Sequence, residues 1–354
     1  MLRVLVVEDS AVARRALVRT LESDPEIQVV GEATDGAHAV ALVAQLKPDV
    51  VTMDVHMPVM DGLEATRRIM ARSPTPIVVV SGTVRLSDVA RSVQALQAGA
   101  LTVLEKPGAA GRGDTDGHAR VLIETVKVMA GVKVKPRPSD RTAGMTSNGS
   151  RPPATRPDHA ARVDVVGVAA STGGPAALVS ILASLPRTLP VPVLVVQHIQ
   201  PGFERGLVSM LDRLSSLRVR LAVHGQAAEA GEVLVASSEA HLSLTASGLV
   251  AVERSAPVDG HRPSANVLFR SLARCYGPRA MGVVLTGMGR DGAEGLAELH
   301  RAGGRVIAQD EATSVVFGMP HAAQAARAVD RIVPLEGVAD EISEAAGWGR
   351  PRPA

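Results

Sequence analysis

Cysteine and aromatic residues are scarce in this sequence, and each scarcity excludes a class of structure. The chain has 354 residues and a single cysteine, Cys275. It can therefore form neither an intramolecular disulfide nor a metal site built from several cysteines. Aromatic residues make up 1% of the chain, so its cores must be built from valine, leucine, alanine and isoleucine. Short runs of these residues are typical of buried parallel strands.

Strong net charge and long apolar runs are also missing. The formal net charge is +2, and the sequence has no concentrated basic face and no nucleic-acid reading motif, which argues against a nucleic-acid partner. No run reaches the roughly 20 apolar residues of a membrane-spanning helix. The apolar N-terminal run Val4–Val7 is too short for a secretory signal. We therefore expect a cytoplasmic protein without direct membrane insertion.

The first third of the chain alternates short apolar runs with amphipathic stretches of helical length. This alternation predicts parallel βαβ units with helices on both faces of one sheet, and five units predict a flavodoxin-like (βα)5 domain. The predicted strands are Val4–Val7, Val29–Ala33, Val50–Met53, Ile77–Val80 and Leu101–Leu104, and the predicted helices are Ala11–Glu22, Ala37–Leu46, Gly62–Ala71 and Ser87–Ala98.

The same rhythm resumes after a segment rich in proline, serine and arginine. That segment, residues 126–162, holds few large apolar side chains beyond its start and predicts a linker. We expect a first domain over 1–125, a doubly wound, mostly parallel α/β domain over 163–345, and a tail over 346–354. The predicted strands of the second domain are Val163–Ala169, Val191–Val196, Val233–Ala236, Met281–Leu285 and Arg305–Ala308, with a hairpin around Leu242–Val252.

Acidic and basic residues follow four predicted strands of the first domain. Glu8 and Asp9 follow the first strand, Asp54 the third, Ser81 the fourth and Lys106 the fifth. Open parallel sheets bind ligands at these strand ends, and three carboxylates there suit Mg²⁺. The central Asp54 can accept a phosphoryl group, whose oxygens Ser81 and Lys106 would bind. One such acid alone is more often a solvated loop residue, but their combination favours a site.

A serine, a histidine and an aspartate follow three strands of the second domain. Ser171 precedes Pro175, which suits the first turn of a helix, so the serine lies where free N–H groups stabilise an oxyanion. If the strands are neighbours, Ser171 is a nucleophile, His198 its base and Asp291 the acid that orients the ring. Taken singly, each also has a structural explanation: a turn, a loop histidine, and a cap of the helix that begins near Gly292.

The motifs of the first domain resemble two-component receiver domains. They are Val-Leu-Val-Val-Glu-Asp-Ser (4–10), Met-Asp-Val-His-Met-Pro-Val-Met-Asp-Gly-Leu-Glu-Ala (53–65) and Lys106-Pro107. The resemblance implies phosphorylation of Asp54, with Mg²⁺ held by the three carboxylates described above. Val103 stands where receivers usually carry an aromatic switch residue, so we expect the relay from the phosphate to the output surface to differ.

Five motifs of the second domain resemble, in the same order, the chemotaxis methylesterases of the CheB family. The resemblance implies a triad of Ser171, His198 and Asp291, with an oxyanion hole at the Met288 backbone N–H and Thr172. Asn266 stands where the family often has aspartate. The motifs are Gly-Val-Ala-Ala-Ser-Thr-Gly-Gly-Pro (167–175), Gln-His-Ile-Gln-Pro-Gly-Phe (197–203), Arg-Pro-Ser-Ala-Asn-Val-Leu-Phe-Arg-Ser (262–271), Leu-Thr-Gly-Met-Gly-Arg-Asp-Gly-Ala (285–293) and Gln-Asp-Glu-Ala-Thr-Ser-Val-Val-Phe-Gly-Met-Pro (309–320).

The two resemblances together imply a monomeric serine hydrolase that phosphorylation activates. Its substrates would be glutamate methyl esters, and some glutamines, of methyl-accepting chemoreceptors, and its phosphodonor a chemotaxis histidine kinase. Hydrolysis would need no cofactor. We expect the unphosphorylated receiver to cover the catalytic edge. Two alternatives are a non-catalytic adaptor of another chemosensory pathway and a DNA-binding response regulator, for which no helix-turn-helix candidate follows the linker.

Overall fold

A computed structural model describes residues 1–81, 94–96, 98–106, 115–132, 134 and 162–348. Most of the predicted helix Ser87–Ala98, most of the predicted linker and the end of the predicted tail lie outside the described residues.

The N-terminal region forms one five-stranded parallel sheet. Its strands are β1 Leu2–Val7, β2 Ile27–Ala33, β3 Val50–Met53, β4 Ile77–Ser81 and β5 Thr102–Glu105, and its helices are α1 Ala11–Leu21, α2 Gly36–Leu46, α3 Gly62–Arg72 and α4 Thr115–Ala130. The strand order β2-β1-β3-β4-β5 is that of flavodoxin-like folds and confirms the predicted fold class. Ser10, Asp35 and Asp61 begin the first three helices, because each side chain accepts a backbone N–H of the first turn. Helix α4 runs past residue 125.

The C-terminal region forms a seven-stranded parallel sheet with a separate hairpin. Its strands are β6 Val165–Ala170, β7 Val193–Gln197, β8 Arg218–Leu221, β9 Glu232–Val235, β12 Ala280–Val284, β13 Arg305–Gln309 and β14 Arg331–Val333, and the hairpin pairs β10 His241–Leu244 with β11 Val250–Glu253. The helices are α5 Gly174–Ser184, α6 Glu204–Leu214, α7 Ala265–Cys275, α8 Ala293–Arg301, α9 Met319–Ala325 and α10 Leu335–Ala345. The strand order is β14-β13-β12-β6-β7-β9-β8. The predicted strands and hairpin are present, whereas the edge strands β8 and β14 were not predicted.

A glycine of the central strand β6 lets helix α7 lie close to this sheet. Gly167 on β6 pairs with Gly282 on β12, and a Cβ on Gly167 would lie 2.7 Å from Leu272 and 3.2 Å from Phe269. Real Cβ atoms essentially never approach another heavy atom within 3.0 Å, so glycine is required for this packing. The close fit fixes the N-terminus of α7 above the carboxyl edge of the sheet, next to the candidate site.

The two regions pack against each other through apolar side chains. Phe203, which is 1% exposed, belongs to the same buried cluster as Val103 and the α2 and α3 face of the first sheet. Val315 and Val316 of the second region pack against the cluster on the opposite face of the first sheet. Since Phe203 follows His198 by a short loop and Val315 lies beside Gly173, these contacts adjoin the candidate site.

Within the described residues, we find no helix with the length and apolar character needed to cross a membrane.

Candidate active site and receiver pocket

The three candidate catalytic residues meet at the carboxyl edge of the seven-stranded sheet. Ser171 follows β6, His198 follows β7, and Asp291 lies on the loop between β12 and α8. These strands are neighbours in the order β12-β6-β7. The sequence predicted that the three residues would meet only if their strands were neighbours. The backbone holds the ends together, because Ser171 N–H donates to the Thr286 carbonyl at 3.1 Å and His198 N–H donates to the Ala170 carbonyl at 2.9 Å.

His198 and Asp291 form a buried pair. His198 Nε2 lies 2.9 Å from Asp291 Oδ2, and the two side chains are 15% and 1% exposed. An ionised carboxylate can only accept hydrogen bonds, so Nε2 of the neutral ring carries the proton. The other ring nitrogen, Nδ1, therefore keeps its lone pair and can act as a base.

The Asp291 carboxylate also receives the N-terminus of α7. Its Oδ1 accepts from Ser264 Oγ at 2.8 Å and from Asn266 N at 3.2 Å, and its Oδ2 accepts from Ala265 N at 2.6 Å. Burial disfavours the charge, but His198 and the α7 donors outweigh it and lower the pKa of Asp291 to about 2. The aspartate does not cap α8, whose first turn has Gly292 as N-cap without a side-chain hydrogen bond.

The loop that carries Met288 lies directly against Ser171. A Cβ on Gly287 would lie 2.8 Å from Ser171 Cβ and 3.0 Å from Ser171 N, so glycine is required for the approach. Thr286 Oγ1 donates to the Thr172 carbonyl at 2.9 Å, which ties the serine turn to the same loop. Met288 and Thr172, the predicted oxyanion residues, therefore both flank Ser171 in the chain or in space.

A second histidine, which sequence reasoning missed, stacks on the ring of His198. The rings of His261 and His198 stack with centroids 4.6 Å apart and an interplanar angle of 22°. His261 Nδ1 lies 2.9 Å from the Asp259 carbonyl oxygen, which fixes the orientation of the ring. The only signal in the sequence is that His261 directly precedes the motif 262–271.

The receiver pocket brings together a lysine and three carboxylates. Lys106 Nζ lies 2.6 Å from Glu8 Oε2 and 2.9 Å from Asp54 Oδ2. Glu8 and Asp54 are buried, Asp9 is exposed, and one oxygen of each carboxylate lies within 4.8 Å of the others. Ser81, 2% exposed, ends β4, and its carbonyl accepts from Lys106 N at 2.9 Å. The predicted residues therefore converge.

The charges in this pocket suit a divalent cation. Burial raises the pKa of Glu8 despite its hydrogen bond with Lys106, and the charge of Asp54 adds to the rise. Burial opposes the charge of Lys106, but Glu8 and Asp54 outweigh it and raise its pKa. A hard cation that takes oxygen ligands, such as Mg²⁺, would relieve the repulsion between the carboxylates of Glu8 and Asp54.

Comparisons with known proteins match both regions. A profile described as CheB methylesterase matches residues 166–342, and one described as response regulator receiver domain matches residues 4–113. The chain is 50% identical over 350 residues to protein-glutamate methylesterase/protein-glutamine glutaminase 4 of Myxococcus xanthus, covering 97% of each chain.

A second relative and a solved structure agree with this match. Protein-glutamate methylesterase/protein-glutamine glutaminase 3 of Anaeromyxobacter dehalogenans is 50% identical over 344 residues, covering 97% of this chain and 98% of the relative. The solved CheB methylesterase catalytic domain of Thermotoga maritima is 35% identical, with a TM-score of 0.50, and covers 52% of this chain and 99% of that one.

Proposed function

The chain belongs to the CheB methylesterase family and carries a receiver domain, and from this membership we propose that it hydrolyses glutamate methyl esters of chemoreceptors under control of phosphorylation. The observation that carries the proposal is the buried His198–Asp291 pair beside the Ser171 turn. The proposal assigns the receiver to residues 1–125, the linker to 126–162, the catalytic domain to 163–345 and the tail to 346–354.

The reaction begins with acyl transfer to the serine. Ser171 Oγ attacks the γ-carbonyl carbon of the methyl ester while His198 Nδ1 takes its proton, and Asp291 stabilises the imidazolium that forms. The Met288 N–H and Thr172 stabilise the negative oxygen of the tetrahedral intermediate. Collapse of the intermediate breaks the bond to the methoxy oxygen, to which His198 returns the proton, and methanol leaves.

Water then completes the cycle. His198 takes a proton from a water molecule that attacks the γ-glutamyl ester of Ser171, and the serine leaves with that proton. The receptor keeps a glutamate carboxylate. With a glutamine side chain as substrate, the same steps release ammonia instead of methanol. No step needs a metal or an organic cofactor.

Phosphorylation of Asp54 is the proposed control of this reaction. When Mg²⁺ is bound by Glu8, Asp9 and Asp54, it neutralises charge on the transferred phosphoryl group. The phosphoryl oxygens take Lys106 and the hydroxyl of Ser81 as partners, which alters the contacts at the end of β5. A chemotaxis histidine kinase is the proposed phosphodonor, and the cytoplasm is the proposed location.

The contacts between the two regions support a closed, less active state. Met288 lines a cleft together with Asp24, Arg120 and Lys127 of the receiver, and Phe203 lies in the buried cluster that contains Val103. Val103 has no ring that could rotate, so we propose that displacement of β5 loosens the packing around Phe203 and frees the catalytic edge.

Methanol release from receptor membranes that carry labelled methyl groups tests the proposal. Wild type should release label, and a small phosphodonor should increase the rate. Ser171→Ala should abolish release, and Asp54→Ala should abolish only the phosphodonor effect. Equal release by wild type and Ser171→Ala would refute the hydrolase and favour the non-catalytic adaptor. A phosphodonor effect that survives Asp54→Ala would refute the switch.

A further inference from the structure

Gln197 joins the nucleophile and the base through its side chain. It is the last residue of β7 and is 2% exposed. Its Nε2 donates one hydrogen bond to the Ser171 carbonyl and another to the His198 carbonyl, each 2.8 Å long. A single buried amide group thus holds the main chain of both reacting residues.

This bridge lies where the two strands separate. Ala170 and Gln197 are the last paired residues of β6 and β7, and His198 N–H makes the last backbone bond between them. Beyond that point the two chain segments diverge to form the site. Buried carbonyl groups left there without a hydrogen-bond donor would destabilise the folded state. The Gln197 amide supplies the hydrogen bonds that strand pairing no longer provides.

Gly174 provides the space for this side chain. A Cβ on Gly174 would lie 2.1 Å from Gln197 Oε1 and 2.7 Å from the Ala170 Cβ. Gly174 does not have a positive φ, so alanine would meet no backbone strain there, and the glycine is needed for space alone. Within the described residues, Oε1 itself is buried without a hydrogen-bond donor, so the two carbonyl contacts are what orient the amide.

We infer that Gln197 is a positioning residue for acyl transfer, and that Gly174 is its matched partner. This inference depends on the proposed function of Ser171 and His198. Because its side chain is buried, Gln197 would act through Ser171 and His198 and not on the substrate itself. It fixes the distance between the serine turn and the histidine, and misplacement by about 1 Å of a reacting group can reduce a rate by about 100-fold.

The main test replaces Gln197 by methionine, which has a similar volume and no amide. We expect kcat to fall by about 10- to 100-fold, with KM changed less than about twofold. The rate at which a fluorophosphonate labels Ser171 should fall in parallel, because labelling needs the same serine–histidine geometry. Ser271→Ala is the matched control: Ser271 is 2% exposed and bonds to the backbone of Leu244 and Leu268, five residues after Asn266, the last residue of α7 that bonds to Asp291. It should lower the melting temperature without changing kcat.

Gly174→Ala tests the matched pair. In the wild-type background the new methyl group should displace the amide and reduce kcat as Gln197→Met does. In a Gln197→Ala background the amide oxygen is gone and only the close approach to the Ala170 Cβ remains, so the same change should reduce kcat by a several-fold smaller factor than in the wild type. Such non-additivity is the signature of direct contact. If Gln197→Met does not fold, Gln197→Asn takes its place, because its shorter side chain keeps the amide but cannot reach both carbonyls.

The outcomes separate this inference from the proposed function. Loss of activity in Ser171→Ala together with unchanged kcat and labelling rate in Gln197→Met would overturn the inference alone. Full activity in Ser171→Ala would overturn both. A lowered melting temperature with unchanged kcat would make Gln197 merely structural, and additive effects in the double variant would refute the pairing with Gly174.

Discussion

Asparagine at position 291 would keep the shape of the aspartate while removing its charge, and the surroundings decide which way its amide turns. The amide oxygen can replace only one carboxylate oxygen. Turned toward Oδ2, it still accepts from His198 and from Ala265 N, and the NH₂ group then faces Ser264 Oγ, which can accept, and the Asn266 N–H at the longer distance of 3.2 Å. Turned the other way, the NH₂ group would face the Ala265 N–H at 2.6 Å. The first orientation is favoured, and it keeps the proton on His198 Nε2.

The expected loss is therefore the loss of charge and not of the correct tautomer. A carboxylate and an imidazolium whose charge centres lie about 4 Å apart attract each other by about 4 kcal/mol at an effective dielectric constant near 20. This energy corresponds to a fall in kcat of about 10³-fold. An aspartate-to-asparagine change that forces the wrong tautomer costs about 10⁴-fold in a serine protease. We expect the fall in kcat caused by Asp291→Asn to be smaller than this 10⁴-fold loss.

Methanol release at saturating substrate measures this loss, and a second substitution tests its cause. Ser264→Ala alone should reduce kcat by less than about tenfold, because Asp291 keeps two backbone donors and His198. Added to Asp291→Asn, it removes the acceptor of the NH₂ group, and we expect a further fall of about tenfold from the flipped amide. Additive effects, or a fall in Asp291→Asn alone equal to that of Asp291→Ala, would refute the reasoning.

Three further predictions follow from the packing and the charges. Phe203→Ala removes a buried ring from the cluster shared by the two regions. If this destabilises the proposed closed state by only about 1.4 kcal/mol, methanol release without phosphodonor should rise about tenfold. An unchanged ratio of stimulated to unstimulated release would contradict this. Glu8→Gln removes one of three clustered carboxylates and should raise the Mg²⁺ concentration for half-maximal Asp54 phosphorylation at least about tenfold. An unchanged Mg²⁺ concentration would show that Glu8 is not a ligand. The pKa of Asp291 falls from 3.8 to about 2 on folding. Its ionisation therefore stabilises the fold by about 2 kcal/mol above pH 3.8, and this contribution disappears as the pH falls through 2. The difference in the free energy of urea unfolding between wild type and Asp291→Asn should shrink between pH 5 and pH 2, and a constant difference would refute the assignment.

Local patterns in the sequence were sufficient to place the candidate catalytic residues at one edge. Short valine-rich runs mark the buried strands, and Ser171, His198 and Asp291 each follow one of them. Parallel strands end at the same side of a sheet, so the edge follows from the pattern once the strands are neighbours. The edge strands were missed because neither has a continuous apolar run. In β8 two arginines alternate with two apolar residues, and β14 has three residues.

The support of the candidate triad could not be predicted, because it comes from residues distant in the chain. Asp291 looks like a cap for the helix that follows it, yet its carboxylate binds the N-terminus of α7, whose cap residue Ser264 lies 27 positions earlier. That contact depends on the packing of α7 against Gly167 of β6, which no local pattern reveals. The role of Gln197 has the same origin, since its two acceptors belong to different strand ends.

The covalent intermediate on Ser171 is the most direct test of the central claim. A receptor fragment labelled in its γ-glutamyl methyl ester carbon is mixed with phosphodonor-treated enzyme, the reaction is stopped with acid within milliseconds, and the digested enzyme is mapped by mass spectrometry. The account predicts a γ-glutamyl ester on the peptide that contains Ser171, formed as methanol appears and absent from Ser171→Ala. Methanol release without any label on the enzyme, or with the label on another residue, would contradict it.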